Sequence, residues 1–332
     1  MKFLIAGLGS IGRRHLRNLR ALGERDILLY RTHHATLLDD ELAGLPEETD
    51  LRRALDHEPD AVVIANPTAL HLDVAIPAAE AGCHILLEKP VSDSLDRLDE
   101  FQVALQHGGG KVASGFQFRF HPGLQRIKGL LETDAIGTPV SARASWGEYL
   151  PGWHPWEDYR QSYAARPDLG GGVILTLCHP LDYLHWMLGD AEAVAAFTGQ
   201  QGLGLEVVDT AEIGIRFRSG MLACVHLDFV RRPPQHSLEI IGTQGTITWD
   251  NADGVVRLAQ VTSDGKPGDW QVFPTPPGFE RNNMFLDEMR NFIEVTQGKA
   301  EPASTLEDGI YALKLALKAM QSGRDMCVAE VG

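Results

Sequence analysis

The hydrophobic residues in the first third of the chain form short apolar runs separated by longer amphipathic stretches. Apolar runs typical of strands lie at residues 2–6, 26–30, 61–65, 84–87 and 111–114. Between them, residues 11–22, 69–81 and 94–107 show the spacing of helices. Strands that alternate with helices in this way predict βαβ units and an α/β, doubly wound parallel sheet of the Rossmann type.

The pattern changes at about residue 120. After one more predicted helix at residues 121–132, alternating apolar and polar positions predict longer strands at residues 140–146, 210–217, 221–229, 236–241 and 246–249. Such alternation is typical of antiparallel sheets. Further helices are predicted at residues 177–188, 283–296 and 306–321. We therefore predict a Rossmann domain at residues 1–120 and an α+β domain at residues 121–332, with a large, mostly antiparallel sheet flanked by helices.

Composition narrows the choice of partners. The 332 residues are 44% apolar and 23% charged, as in globular proteins, and the formal net charge is −15. An acidic chain repels nucleic-acid phosphates and anionic membranes, so we expect a small-molecule partner, with no nucleic acid and no membrane. None of the four cysteines lies in a C-x-x-C pair, which predicts reduced thiols and a cytoplasmic location.

A glycine motif, G-L-G-S-I-G at residues 7–12, joins the first predicted strand to the first predicted helix. Gly7 permits a tight turn, Gly9 lets the backbone approach a pyrophosphate, and Gly12 lets helix and strand pack closely. The start of the helix, with Ser10 and Ile11, would then offer free N–H groups to that pyrophosphate. The motif therefore predicts a dinucleotide site, and the alternative is a glycine turn that binds nothing.

The end of the second predicted strand bears on the choice of cofactor. It lies about 20 residues beyond the glycine motif, where NAD enzymes usually carry an acidic residue, but the chain has Arg31 and Thr32 there. Arg31 is suited to bind a ribose 2′-phosphate, and Thr32 can donate a hydrogen bond to it. NADP is therefore favoured over NAD. The alternative is a solvated arginine, which leaves NAD open.

Three further motifs follow predicted strands or precede a predicted helix. They are Asn66-Pro67-Thr68 with His71, then Glu88-Lys89-Pro90, and a glycine triplet at residues 170–172 before a helix that carries His179 and Asp182. Together with the glycine motif, the turn at residues 241–247 and the two closing helices, they make the chain resemble the glucose-fructose oxidoreductase / inositol dehydrogenase (Gfo/Idh/MocA) family along its whole length.

This resemblance implies an NAD(P)-dependent oxidoreductase that transfers a hydride between the nicotinamide and a carbinol or carbonyl of a sugar, cyclitol or sugar derivative. Lys89 matches the family lysine that contacts both substrate and cofactor. His179 matches the catalytic histidine of the substrate helix, and Asp182 the acid three positions later, so the resemblance implies that both also bind substrate. The residues matched to the cofactor site are Asn66 and His71, with Pro67 and Thr68 in the same segment, and Glu88.

Physical chemistry agrees with these roles. Histidine, with an ordinary pKa near 6.5, is suited to accept a hydroxyl proton at neutral pH. Pro180 predicts that His179 lies in the first turn of its helix, whose positive end favours the neutral imidazole. Lys89 would polarise the reacting oxygen or relay the proton. A purely structural histidine is the alternative for His179.

One position departs from the family pattern. The family commonly carries an aspartate four residues before the histidine, where this chain has Leu175, followed by Thr176. Either the proton relay is shorter and Thr176 orients it, or catalysis is lost. Three functions therefore stay open: a dehydrogenase or reductase, a glycosidase that oxidises its substrate transiently, and a non-catalytic dinucleotide-binding sensor or assembly protein.

Four residues are candidates for substrate binding beyond the catalytic group. Gln117 and Arg119 follow the last predicted Rossmann strand, and Trp156 and Arg160 lie in a loop rich in aromatic and charged residues. Arginine binds carboxylates or phosphates, and aromatic faces with a few polar groups suit sugars. The loop packing on its own domain or on a partner subunit is the alternative. No metal site is predicted.

The second predicted domain also bears on assembly. A broad antiparallel sheet usually has a face that must be covered, which predicts a homodimer or homotetramer. We therefore expect residues 121–332 both to bind the substrate and to form the contact between subunits.

Overall fold

The computed structural model describes residues 1–33, 37 and 40–332. The strands are β1 (Lys2–Ala6), β2 (Asp26–Tyr30), β3 (Glu47–Glu48), β4 (Ala61–Ile64), β5 (His84–Glu88), β6 (Val112–Gly115), β7 (Pro139–Gly147), β8 (Ala191–Gly199), β9 (Thr210–Phe217), β10 (Leu222–Asp228), β11 (Gln235–Gly242), β12 (Gly245–Asp250), β13 (Val256–Gln260), β14 (Gln271–Phe273) and β15 (Ala329–Glu330). The helices are α1 (Ser10–Ala21), α2 (Leu51–Asp56), α3 (His71–Glu80), α4 (Leu98–Gly108), α5 (Pro122–Glu132), α6 (Val173–Thr176), α7 (His179–Leu188), α8 (Arg281–Thr296) and α9 (Leu306–Asp325).

The chain divides into two compact units. The first comprises Met1–Gln117, Asp168–Gly170 and Arg281–Leu313, and the second comprises Phe118–Pro167, Gly171–Glu280 and Lys314–Gly332. The cut at residue 120 stays a prediction, but helix α8 and the start of α9 belong to the first unit. The physical reason is the core, because Met289 and Phe292 of α8 are fully buried in the same apolar cluster as Phe3 and Ile5.

The first unit is built on a six-stranded parallel sheet in the order β3-β2-β1-β4-β5-β6. Strands β4 and β6 are buried at every position, and β1 and β5 at all but the first, as expected for a sheet covered on both faces. The strand order reverses between β1 and β4, and ligands bind at the carboxyl ends of strands beside such a switch. The predicted Rossmann sheet is confirmed.

The second unit is built on a nine-stranded sheet in the order β14-β13-β12-β11-β7-β10-β9-β8-β15. Strands β7 and β10 are parallel and the other neighbours are antiparallel, so the predicted mostly antiparallel sheet is confirmed. Along β9 and β10 buried and exposed positions alternate, and one face forms the core of this unit. We call the opposite face the open face; it carries Arg143, Glu212, Cys224, His226 and Glu239.

Two further features concern the helices and the cysteines. Among the described residues, no helix combines the length and the apolar character needed to cross a membrane. All four cysteines are free thiols: Cys83 and Cys178 are buried, and Cys224 and Cys327 are exposed.

Candidate active site

The glycine motif forms a turn that only glycine fits at two of its positions. Gly7 has a φ of +90°, and a Cβ there would lie 2.4 Å from the backbone nitrogen of Asn66. A Cβ on Gly12 would lie 1.9 Å from the carbonyl oxygen of Gly7. Gly9 differs, because a Cβ there would meet no atom within 4 Å. The open space at Gly9, directly before α1, fits a pyrophosphate bound by the first N–H groups of that helix.

The loop after β4 supports this turn. Asn66 donates from Nδ2 to the carbonyl oxygen of Leu70 at 2.9 Å, and its own Oδ1 is buried without a hydrogen-bond partner among the described residues. Nε2 of His71 donates to the carbonyl oxygen of Asn66 at 3.0 Å, and burial lowers the pKa of His71. Thr68 is buried in the short turn between them, after Pro67. His71 therefore fixes the loop, and the role of Asn66 in cofactor binding stays a prediction.

The end of β2 places a cation beside an acid. Arg31 is 7% exposed, and its Nη1 lies 3.5 Å from Oε2 of Glu47 on β3. Nε2 of His33 lies 3.6 Å from the other oxygen of the same carboxylate. Thr32 between them is exposed. The guanidinium predicted to bind a 2′-phosphate thus has an anionic neighbour in the protein itself.

The end of β5 carries Glu88 and Lys89. Oε1 of Glu88 accepts a hydrogen bond from Nε2 of His15 at 2.7 Å, and Oε2 accepts from the Lys89 backbone N–H at 3.2 Å. Burial alone would raise the pKa of Glu88, but the hydrogen bond from His15, with the charges of His15 and Lys89, outweighs burial and lowers it. Glu88 therefore acts as an ionised anchor for the backbone of Lys89.

His179 lies in the second unit, as the first residue of α7, with Pro180 in its first turn. Its ring is 1% exposed and packs edge-on against Phe118, with 5.0 Å between ring centroids, and is tilted on Trp146 at 5.4 Å. Trp146 in turn stacks on His236 at 4.4 Å. Aromatic walls thus hold the imidazole at the positive end of a helix, as the sequence led us to expect.

Arg119 and Asp182 form a buried ion pair in the same unit. Nη2 of Arg119 donates to Oδ1 of Asp182 at 2.7 Å, and Nε lies 3.2 Å from each carboxylate oxygen. The two side chains are only 3% and 0% exposed. Both were predicted to bind substrate; that role stays a prediction, and the pairing gives each group a partner without a ligand.

The remaining substrate candidates differ in exposure. Gln117 is buried at the start of a short turn after β6, and Leu175 and Thr176 are buried at the end of α6. Trp156 is 58% exposed and leans on the ring of His154 at 5.0 Å between centroids. Arg160 is exposed and lies over the ring of Tyr159. Trp156 and Arg160 are thus the candidates with accessible recognition groups.

Protein-family models match both halves of this architecture. Residues 1–116 match the model of an oxidoreductase family with an NAD-binding Rossmann fold, and residues 124–248 match the GFO/IDH/MocA C-terminal domain. The chain belongs to the Gfo/Idh/MocA family of oxidoreductases. The predicted resemblance is confirmed, and with it an NAD(P)-dependent oxidoreductase that carries an NAD-binding Rossmann domain.

Individual members of the family are similar over most of the chain. The 1,5-anhydro-D-fructose reductase of Ensifer adhaerens is 29% identical over 284 residues, which cover 83% of this chain and 81% of the relative. The myo-inositol 2-dehydrogenase of Thermotoga maritima is 27% identical over 352 residues, covering 100% and 99%. The structure of a levoglucosan dehydrogenase in complex with NADH has a TM-score of 0.88 at 20% identity, covering 100% and 99%, and supports the fold.

Two residues of this Gfo/Idh/MocA protein escaped sequence reasoning. His15 and Glu288 have no predicted role, yet both lie beside Glu88, and the ligand-type atoms of the three side chains are within 4.8 Å of one another. A signal exists for His15, because it stands next to Leu16 on the buried side of α1. Glu288 gives no such signal, since a single acid in an amphipathic helix is usually solvated.

Proposed function

We propose that this protein transfers a hydride between NADP(H) and a carbinol or carbonyl carbon of a sugar, cyclitol or sugar derivative. The observation that carries the proposal is the open cradle at Gly9, which fits a dinucleotide, in the same compact unit as Lys89 at the end of β5. The relatives support the substrate class, because anhydrofructose, myo-inositol and levoglucosan are all polyhydroxylated rings.

The chain's own residues would divide the proton chemistry. The bound nicotinamide supplies the hydride acceptor or donor. The Lys89 ammonium would polarise the reacting oxygen, and the Glu88 anchor would keep its backbone in place. His179 would accept the hydroxyl proton on oxidation and return it on reduction, because the positive end of α7 favours its neutral imidazole.

The preference for NADP is the finer part of the proposal. Arg31 is suited to bind the ribose 2′-phosphate, and Thr32 to donate a hydrogen bond to it. The phosphate would take the place of Glu47 as the anion beside the guanidinium. Asn66 Oδ1, Ser10 and Ile11 would complete the polar surroundings of the cofactor.

Substrate recognition is proposed for the exposed loop and the buried pair together. Trp156 offers an aromatic face to a sugar ring, and Arg160 a cation to any acidic substituent. Asp182 and Arg119 would act mainly by fixing the start of α7. Gln117 would contribute an amide.

A second candidate is favoured by one specific observation. The buried Leu175 stands where the family commonly carries an aspartate, and Asp182 is already paired with Arg119. A protein without a complete proton relay would bind the cofactor without turnover, as a sensor would. A redox-cycling glycosidase would instead turn over with no net change in cofactor.

We also propose a cytoplasmic homodimer or homotetramer. Four free thiols are consistent with a reducing compartment. The open face carries exposed Leu222 on β10, and Phe197, which is 69% exposed, on β8. Covering such residues is what a second copy of the chain would do. Sedimentation of the wild type beside a Phe197→Asp variant tests this, because a monomeric wild type contradicts it.

The experiment for the activity is a turnover screen. Purified protein is assayed at 340 nm with NADP⁺ and with NAD⁺ against myo-inositol, D-glucose, 1,5-anhydro-D-glucitol and levoglucosan. We expect turnover with at least one ring alcohol, and a loss of about a hundredfold or more in kcat for Lys89→Met and His179→Asn. Lys111→Met, on an exposed lysine of the same unit, should retain wild-type turnover. Cofactor binding without turnover would favour the sensor.

A further inference from the structure

Three buried side chains meet where β5 ends. His15 comes from α1, Glu88 from β5 and Glu288 from α8, and their exposed fractions are 0%, 6% and 3%. Their nitrogen and oxygen atoms lie within 4.8 Å of one another. We call this set the buried triad. All of it belongs to the first compact unit, as does Lys89.

Glu88 is the fully engaged member of the buried triad. It accepts hydrogen bonds from His15 and from the Lys89 backbone, one on each oxygen. Arg14 on α1, Lys89 and His71 also act on its charge from outside the triad. This set of positive and hydrogen-bonding groups stabilises an ionised Glu88.

Glu288 is held in the opposite way. Neither of its carboxyl oxygens has a hydrogen-bond partner among the described residues. Burial raises the pKa of Glu288 well above its ordinary value, and the charge of Glu88 raises it further. Glu288 is therefore a neutral acid beside an ionised one, since two adjacent buried carboxylates do not both ionise.

The groups around the triad argue against a metal ion. The Phe285 ring lies edge-on to His15, with 6.4 Å between centroids, and the Arg14 guanidinium lies 4.4 Å above the same ring. Arg281 at the start of α8 adds a further positive charge near Arg14. A divalent cation at the triad would be repelled by Arg14 and Lys89, so a proton is the better occupant.

An apolar side chain would fill the site of Glu288 without the desolvation cost of an unpaired polar group. The acid therefore points to a role other than packing. A neutral carboxyl can turn its O–H dipole toward the ionised Glu88, whereas an apolar group offers Glu88 no dipole on that side. Glu88 would then be stabilised less well as an anion and would hold the Lys89 backbone less firmly.

We propose that Glu288 is a positioning residue, whose buried carboxyl group beside Glu88 keeps Glu88 aligned between His15 and Lys89 and so keeps Lys89 in place for cofactor and substrate. The inference rests on the proposed function, because it assumes the role of Lys89 there.

The test uses full-length Glu288→Met and Glu288→Gln variants, with Glu294→Gln, an exposed acid on the same helix, as the matched control. NADPH and NADH affinity is measured by nicotinamide fluorescence between pH 6 and 9, beside the thermal unfolding temperature. We expect Glu288→Met to unfold no earlier than the wild type and to bind NADPH roughly tenfold more weakly. Glu288→Gln, a neutral polar mimic, should stay within about twofold at pH 7.

A double variant separates this inference from the proposed function. If Glu288 acts through Lys89, Glu288→Met should add nothing to the loss caused by Lys89→Met. Wild-type affinity in Lys89→Met would overturn the role of Lys89 itself. Weakened binding in Lys89→Met together with wild-type affinity in Glu288→Met would overturn the positioning role alone.

If Glu288→Met does not fold, the pH dependence of unfolding tests the proposal on Glu288 instead. Because the folded protein holds a proton on Glu288 that the unfolded chain releases, wild-type stability falls as pH rises from the ordinary glutamate range through the raised pKa. The advantage of Glu288→Gln over the wild type should therefore grow from pH 5 to pH 9. A constant difference, or a stoichiometric metal ion held by the triad, would overturn the proposal.

Discussion

Asp182 and Glu288 are buried to almost the same degree and are held in opposite ways. Asp182 is 1% exposed and accepts hydrogen bonds from two nitrogens of Arg119, the shortest of them 2.7 Å long. Glu288 is 3% exposed and has no hydrogen-bond partner among the described residues. Burial alone therefore does not set the charge of a carboxyl group. The partner sets the charge: Asp182 forms an ion pair with Arg119, whereas Glu288 keeps its proton.

The contrast bears on function because each acid belongs to a group of residues that positions a proposed catalytic residue. Asp182 fixes the first turn of α7, which carries His179. Glu288 lies behind Glu88, which holds the backbone of Lys89. In the second unit, His179 lies in a helix turn held by an ion pair in which both charged groups have a partner. In the first unit, Lys89 is held by Glu88, which lies beside a carboxyl group without a hydrogen-bond partner among the described residues. We therefore expect the Arg119–Asp182 pair to be sensitive to loss of either partner, and the site of Glu288 to be sensitive to replacement of the carboxyl group by an apolar group.

The largest expected effect comes from breaking the ion pair between Arg119 and Asp182. Arg119→Met leaves Asp182 as a buried charge without its arginine, and we expect the free energy of unfolding to fall by about 3–5 kcal/mol in urea titrations. The double variant with Asp182→Leu should recover most of this loss. Arg143→Met, which removes an exposed arginine of the open face, should change stability little. Equal effects of Arg119→Met and Arg143→Met would contradict the assignment.

The second-largest expected effect is a loss of stability at acid pH that comes from the buried His121. Burial lowers the pKa of His121 to about 4, and its neutral Nδ1 accepts from the Gly123 N–H at the start of α5. The unfolded chain takes up this proton near pH 6.5, so stability should be lost as pH falls from 7 to 4, by about 3 kcal/mol. His121→Asn keeps a capping acceptor and should flatten this acid limb in unfolding titrations. His107→Asn, on an exposed histidine, should leave it unchanged.

The glycine motif offers a site made by backbone rather than by side chains. A side chain in the open space at Gly9 would occupy the place proposed for the pyrophosphate. We expect Gly9→Val to weaken NADPH binding about ten- to hundredfold, or about 1–3 kcal/mol, with little change in thermal unfolding. Gly12→Ala should instead lower the unfolding temperature, since its Cβ would collide with Gly7. Unchanged cofactor affinity in Gly9→Val would place the ligand elsewhere.

The smallest expected effect concerns the pair formed by buried Arg31, just after β2, and exposed Glu47 on β3. If a 2′-phosphate binds Arg31 as proposed, Glu47 would compete with it, so Glu47→Gln should tighten NADPH binding by up to about fivefold and leave NADH unchanged. Glu48→Gln is the matched control, because Glu48 pairs with His57 instead. The affinity of both variants is read from fluorescence titrations at low salt. A Glu47→Gln protein that binds NADPH more weakly would show that the acid helps rather than competes.

Sequence reasoning identified the features that local patterns encode. The βαβ alternation, the glycine turn and the antiparallel half follow from spacing and turn residues, and the fold confirms them. Strand β8 was missed because its alanine-rich segment, Ala191–Gly199, has low strand propensity. The place of α8 in the core of the first unit was missed because residues nearly 300 positions apart in sequence, such as Phe3 and Phe292, are buried in one apolar cluster.

The candidate site divides along the same line. Lys89 and His179 were predicted as catalytic residues through motifs, whose local sequence carries the signal, and that role stays a prediction. The partners that set the charge of a group come from distant elements, as Arg119 does for Asp182 and His15 for Glu88. Amphipathic spacing shows which side of a helix is buried, but it does not show what a buried acid meets there. That is why no role was predicted for Glu288.

The most direct test of the central claim is a fluorescence titration of the wild-type protein with NADPH and with NADH. Protein shown to be folded and free of retained cofactor should bind both, with NADPH about tenfold tighter, and Arg31→Met should remove the difference. Equal affinity or a preference for NADH would contradict the role of Arg31. Binding of neither nucleotide would contradict the proposed oxidoreductase activity as a whole.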